Sequence, residues 1–173
     1  ERCAELPIAR WHLAQTEGPV LEVGNVLGHY GPHSHTVIDK YETAPSVINA
    51  DITQWQTDWR FALIISISTF EHIGFDDEAE GDSGEKIRGA IAACRALLAP
   101  DGRLVITVPL GYNPALDELI ANDKLAADQA HFLLRHGRRQ WREALQTEAA
   151  GTKYGHPFPY ANGLWVAEFS PTN

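Results

Sequence analysis

An α/β fold, a doubly wound and mostly parallel seven-stranded sheet with an antiparallel last strand, is the fold class this sequence predicts. Three observations predict it. Short apolar runs alternate with helix-like segments along the chain, the pattern of βαβ units. The run Phe61–Ile67 (FALIISI) is apolar almost throughout, which suits a central strand covered on both faces. Several runs end in a glycine or an acid, at the carboxyl edge where open sheets of this kind bind ligands.

Taken in order, residues 2–14 read as a helix interrupted early by Pro7. Val20–Val23 is the first strand, closed by Gly24, and Thr36–Asp39 is the second. Residues 46–49 form a third and Phe61–Ile67 the fourth. Residues 76–85 hold six acids and two glycines and read as an exposed loop. Asp82 and Glu85 have the spacing of a helix N-cap and its partner. The helix then runs to about Leu98, with Ile87, Ile91, Cys94 and Leu98 on one face. Pro100-Asp101-Gly102 is a turn, and 103–108 (RLVITV) is the fifth strand, stopped by Pro109. Residues 114–127 read as helix, and 131–134 and 164–169 as the last two strands. The stretch between these strands is polar and contains Trp141, Tyr154, Pro157, Pro159 and Tyr160.

The 173 residues suit one domain, with an N-terminal helix region at 1–17, a core at 18–112, and substrate-side and closing strands over 113–173. A composition of 44% hydrophobic and 21% charged residues is that of a soluble globular protein. No apolar run approaches the roughly 20 residues of a membrane span. The opening Glu1-Arg2-Cys3-Ala4-Glu5 lacks the basic end and apolar stretch of a signal peptide, so the expected location is cytoplasmic. Cys3 and Cys94 lie far apart, which fits reduced thiols better than a disulfide scaffold. A formal net charge of −9 disfavours a bulk grip on DNA or RNA, although Arg135, Arg138, Arg139 and Arg142 offer a small basic patch or a solvated face.

The strongest local signal is positional. A strand ends in Glu22-Val23-Gly24; seventeen residues after Glu22 a second ends in Asp39; twelve further on, a third is followed by Asp51. In a parallel sheet these turns share one edge. Gly24 lets the backbone approach a ligand without a Cβ clash. An acid after the second strand can accept both hydroxyl protons of a ribose, and one after the third can accept from an adenine amino group. The alternatives are a plain strand end at Gly24, a solvated turn acid at Asp39 and an N-cap at Asp51. The Gly-x-Gly-x-x-Gly fingerprint of NAD sites is absent, as is a P-loop. His29, His33 and His35 fall within seven residues, but no cysteine or carboxylate cluster supports a metal there.

At these positions the chain resembles the class I S-adenosylmethionine-dependent methyltransferases, whose glycine loop reads acid-x-Gly-x-Gly-x-Gly. The stretch here is Glu22-Val23-Gly24-Asn25-Val26-Leu27-Gly28, with Val26 in the place of the middle glycine. The resemblance continues at 35–40 (HTVIDK), 49–52 (NADI), 65–73 (ISISTFEHI) and 97–109 (LLAPDGRLVITVP), and covers about residues 18–112. It implies a class I methyltransferase-like fold and S-adenosylmethionine as cofactor. By the same resemblance Gly24 and Gly28 line the methionine part, with Asn25 and Lys40 in the same binding set. Glu22 orders the loop or meets the cofactor's amino group through water, and Asp39 holds the ribose. Asp51 and Ile52 hold the adenine, by side chain and backbone respectively, and Ser66 and Ser68 sit under the sulfonium centre. Only 12 residues separate Gly24 from Val37, so any crossover helix there must be stunted or irregular.

Glu71, His72 and Tyr112 are the candidate catalytic residues. His72 follows the buried strand at the substrate edge, where a histidine serves either as a general base or as a hydrogen-bonded loop residue. Tyr112, in Gly111-Tyr112-Asn113-Pro114, is placed to stack on or hydrogen-bond an acceptor. Tyr154, Trp141, His156, Phe158 and Tyr160 are candidates for the outer wall. The expected activity is methyl transfer to an oxygen or nitrogen of a small polar acceptor such as a sugar. A non-catalytic methyltransferase-like binding module is the rival, supported by Val26 and the short crossover. An RNA methyltransferase is a third option that rests on the arginine cluster alone. Oligomeric state is left open.

Overall fold

The structure is a computed structural model that describes residues 1–76 and 81–172. The acidic stretch expected as a loop at 76–85 therefore lies partly outside the described residues. Among the described residues eight strands form one sheet: β1 (Val20–Val23), β2 (Thr36–Asp39), β3 (Val47–Asn49), β4 (Phe61–Ile67), β5 (Leu98–Pro109), β6 (Gln129–Arg135), β7 (Trp141–Ala144) and β8 (Gly163–Phe169). Their order is β3-β2-β1-β4-β5-β8-β6-β7. The first five are parallel; β8 runs antiparallel between β5 and β6, and β7 runs antiparallel to β6. No helix of the described residues is long and apolar enough to cross a membrane.

The count is eight strands rather than the seven expected. The addition is β7, whose Trp-Arg-Glu-Ala sequence carries no apolar run because it is a half-solvated edge. Strand β5 also starts earlier than expected, at Leu98. Pro100-Asp101-Gly102 is absorbed as a register shift against β4, between Phe61↔Leu98 and Leu63↔Arg103. A Cβ on Gly102 would lie 2.6 Å from the Phe61 carbonyl oxygen, so only glycine fits that bulge.

Helix α1 (Arg2–Ala14) runs through Pro7 without a break. Helix α2 (Ser83–Ala96) starts at Asp82, whose side chain accepts from Glu85 N as the cap spacing predicts. Its Ile87, Ala90, Ile91 and Cys94 are buried, and burial pushes the Cys94 thiol up to about 12. Helix α3 (Pro114–Ala121) is shorter than expected, and its N-cap Asn113 accepts from Ala115 N and Leu116 N. A four-residue helix α4 (Gln146–Ala149) precedes the loop to β8.

The two sheet faces are covered unequally. One buries a large cluster that includes Ile64, Leu104, Ile106 and Trp165 together with residues of α2 and α3, such as Ile91 and Leu116. The other buries Leu63, Ile65, Ile67 and Val105 with Ala9 of α1 and Leu27. The crossover from β1 to β2 holds only a 3-10 turn, Leu27–Tyr30, the stunted connection expected from its length.

Candidate functional site

Val23 at the end of β1 pairs with Ile38 of β2 on one side and Ser66 of β4 on the other. The chain therefore leaves β1 at the switch in strand order, where open α/β sheets hold ligands. A cavity of about 910 Å³ opens there. Its wall includes Gly24, Asn25, Val26, Asp39, Lys40, Asp51, Ile52, Ser68 and His72, so the turns after β1, β2, β3 and β4 face one space.

Each turn is fixed by its own hydrogen bonds. Asp39 Oδ1 accepts from Tyr41 N and Glu42 N, both at 2.8 Å. Asp51 Oδ1 accepts from Thr53 N and Thr53 Oγ1, while Asp51 Oδ2 lies 3.2 Å from Lys40 Nζ. Partial burial pushes the Asp51 carboxyl up, but the Thr53 and Lys40 contacts outweigh it and hold the group below its ordinary value. The Ile52 N–H makes no hydrogen bond to the described residues.

The glycine loop is ordered from behind. Glu22 is fully buried, and its Oε1 accepts from Val26 N (2.8 Å) and Leu27 N (2.7 Å). Its Oε2 meets His35 Nε2 at 2.8 Å. Of the two roles the resemblance implied for Glu22, loop ordering is the one its contacts serve. Gly24 has φ +86°, and a Cβ there would lie 2.2 Å from Thr69 Oγ1. The glycine is thus demanded by a left-handed turn and by Thr69, while its backbone still lines the cavity. Val26 has φ −87° and ψ −47°, open to any L-residue, and its side chain packs with the cluster under α1. Its backbone does not need the glycine that the family pattern places there.

Ser68 closes β4 with φ 42°, unusual for a non-glycine residue. Two contacts impose it. Its N–H donates to Thr107 O (2.8 Å), and its hydroxyl donates to Glu5 Oε1 (2.7 Å). Glu5, fully buried on α1, also accepts from Thr107 Oγ1 at 2.9 Å and pairs with Arg2. The hydroxyl of Ser68 is therefore turned away to α1.

Three expected cofactor contacts do not reach the cavity. Glu22 lies behind the loop, as described. Ser66 is fully buried and donates to Val23 O at 2.9 Å. A Cβ on Gly28 would meet Asn25 Oδ1 at 2.3 Å, so this glycine faces its own loop.

At the mouth, His72 Nδ1 is hydrogen-bonded to Asp76 Oδ2. The same oxygen accepts from the Tyr112 hydroxyl at 2.8 Å. A carboxylate only accepts, so Nδ1 carries a proton, and in the neutral ring Nε2 is the acceptor. The hydrogen bond from His72 holds the Asp76 carboxyl below its ordinary value. Burial, then the bond and charge of Asp76, push Tyr112 up to about 12, so the phenol is a donor and not a base. Tyr112 also packs edge-on against His72, Phe75 and Tyr154, with centroids 5.1, 5.6 and 5.0 Å apart.

Glu71 sits behind the mouth, its Oε1 3.8 Å from His72 Nε2. It is 2% exposed, does not line the cavity and feels the charges of Glu5, Arg2 and Glu1 beside α1. Burial and then Glu5 push its carboxyl well above its ordinary value. Of the outer-wall candidates, Tyr154 joins the Tyr112 cluster. Trp141 lies on β7, Phe158 lies under the Arg135 guanidinium at 4.9 Å, Tyr160 is exposed, and His156 lines a different cavity.

Sequence reasoning missed Asp76 as the partner of His72, Glu42 as the acceptor for Asn25 Nδ2 (2.8 Å) and Gly89 on α2 as cavity wall. The four-residue spacing of His72 and Asp76 was the one readable signal among them.

No protein-family model and no curated protein matches the sequence. Solved structures do. The N-methyltransferase NodS from Bradyrhizobium japonicum WM9, in complex with S-adenosyl-L-homocysteine, aligns with 100% of this chain and 88% of its own at 19% identity, with a TM-score of 0.59. A TehB-like SAM-dependent methyltransferase from Corynebacterium glutamicum ATCC 13032 Kitasato aligns over 97% of both chains at 17% identity and a TM-score of 0.50. An S-adenosylmethionine-dependent methyltransferase from Clostridium acetobutylicum ATCC 824 aligns over 99% of this chain and 92% of its own at 10% identity, again at 0.50. At such identities the likeness speaks to architecture, and with the strand order above it establishes that the chain has the fold of the class I S-adenosylmethionine-dependent methyltransferases.

Proposed function

We propose that the chain is an S-adenosylmethionine-dependent methyltransferase acting on an oxygen or nitrogen of a small polar acceptor such as a sugar. The observation that carries this reading is the convergence of the Gly24 loop, Asp39 and Asp51 on one cavity of about 910 Å³. The donor set fits a nucleoside. Asp39 spends Oδ1 on its own turn, which leaves Oδ2 for ribose hydroxyls. Asp51 and the Ile52 N–H offer an acceptor and a donor for a purine edge. Gly89 adds room: a Cβ there would meet nothing within 4 Å.

When bound, the cofactor supplies an electrophilic methyl group on a sulfonium. The chain's own residues align the acceptor and handle its proton. His72 Nε2 accepts the proton the acceptor loses, and Asp76 stabilises the imidazolium so formed. Tyr112 holds Asp76 in place through its hydroxyl. Alignment supplies most of the remaining rate.

Calorimetry with S-adenosylhomocysteine tests the reading. Binding is expected. Asp39→Ala should weaken it about 10- to 100-fold, the loss of one or two hydrogen bonds to a charged group. Absence of binding, or an Asp39→Ala variant as tight as the parent, overturns it.

A further inference from the structure

A second cavity, about 470 Å³, lies between the β6–β7 hairpin and the loop after α4. Its charged and titratable lining is Arg135, His136, Arg142, Lys153 and His156, with one carboxylate, Glu148. Three permanent cations thus face one anion in a chain whose net charge is −9. The rest of the surface is correspondingly more acidic, so this hollow is a local reversal of the protein's field.

The walls are built, not incidental. The Arg135 guanidinium donates to the carbonyls of Gly137, Pro159, Ala161 and Arg138. Asn162, 4% exposed, accepts from Phe158 N and donates to the carbonyls of Lys153, Phe158 and Tyr160. Those bonds fix the loop that carries Lys153 and His156. Arg142 spends one Nη on Glu148 at 2.7 Å. Lys153, His136 and His156 have no side-chain partner among the described residues. Like charges held around one hollow repel each other, and a bound anion removes that repulsion.

We propose that this cavity binds a small dianion of the phosphate-monoester class. A dianion balances the excess of two permanent cations in the lining. The small size follows from the volume, and from the acidic remainder of the chain, which repels a long polyanion. The loop leans on the turn before Tyr112: a Cβ on Gly111 would come within 3 Å of Lys153 Cα and Tyr154 N. An anion here therefore steadies the turn that carries Tyr112.

The test titrates inorganic phosphate, at about pH 8 and constant ionic strength, while following histidine ring resonances. It needs no cofactor, so its outcome is independent of the reading above. Saturable shifts of His136 and His156 are expected, with His131, bonded to Glu143 outside the cavity, unmoved. Lys153→Glu should weaken binding roughly tenfold or more, while Lys124→Glu, an exposed control paired with Glu118, leaves it unchanged. Shifts that never saturate, or that fall equally in both variants, overturn the proposal. So does a short single-stranded RNA that moves the same resonances at lower concentration than phosphate.

Discussion

Glu71 and His72 are adjacent in the chain and differ in environment. His72 opens on the cavity and is oriented by Asp76, whereas Glu71 is buried with its Oε2 lacking any partner among the described residues. A buried carboxyl with an unpaired oxygen is cheaper protonated than charged, which is the direction of its shift. The consequence for stability has a definite sign. Above its ordinary value of 4.5 the unfolded chain has released this proton while the folded chain keeps it. Its contribution is therefore fully present below that pH and is lost as pH rises through the folded value. Glu71→Gln removes the ionisation. Urea unfolding of the two proteins should show the glutamine variant gaining relative to the parent between about pH 4.5 and pH 8. A difference that stays flat over that range would mean that Glu71 ionises in the folded protein as freely as in the unfolded one.

The elements around the first cavity show which parts of it were readable in advance. Asp39 ends its strand and Asp51 lies two residues beyond its own, so local sequence placed them on the same edge. The loop Glu22–Gly28 and Ser66 of β4 were readable as a site but not as a set of roles, because Glu22 and Ser66 bond to backbone behind the cavity and Gly28 faces its own loop. Strand β7 escaped because an edge needs no apolar face, and Asp76 because its pairing depends on how the chain turns after β4. Helix α2 contributes through Gly89, which local pattern reads only as a weak spot in a helix. With nothing near its Cβ, Gly89→Ala should raise stability by about 0.5–1 kcal/mol in denaturant unfolding. Gly89→Trp should remain at least as stable as the parent while losing affinity for S-adenosylhomocysteine, since its ring would occupy the cavity. Equal affinity in the tryptophan variant would exclude this wall of the cavity from binding.

At the scale of the molecule, the unequal covering of the sheet gives α1 a double task. It shields Leu63, Ile65, Ile67 and Val105 from one side, and it delivers Glu5 to the ends of β4 and β5. A buried carboxylate is costly unless its charge and lone pairs are matched, and here Arg2, Ser68 and Thr107 match them. Ser68 needs this support, because a non-glycine residue at φ 42° persists only where neighbours over-determine it. The helix at the start of the chain thus holds the backbone that walls the cavity. Glu5→Ala would leave two buried hydroxyl donors without an acceptor and is expected to cost about 3 kcal/mol, read from denaturant unfolding. Glu5→Gln keeps an acceptor for both hydroxyls and should cost less. If Ser68 depends on this contact, the alanine variant, still folded in the absence of denaturant, should also bind S-adenosylhomocysteine less tightly than the glutamine variant. A stability loss with equal affinities would confine Glu5 to holding α1 on the sheet and leave the Ser68 turn to its backbone bond with Thr107.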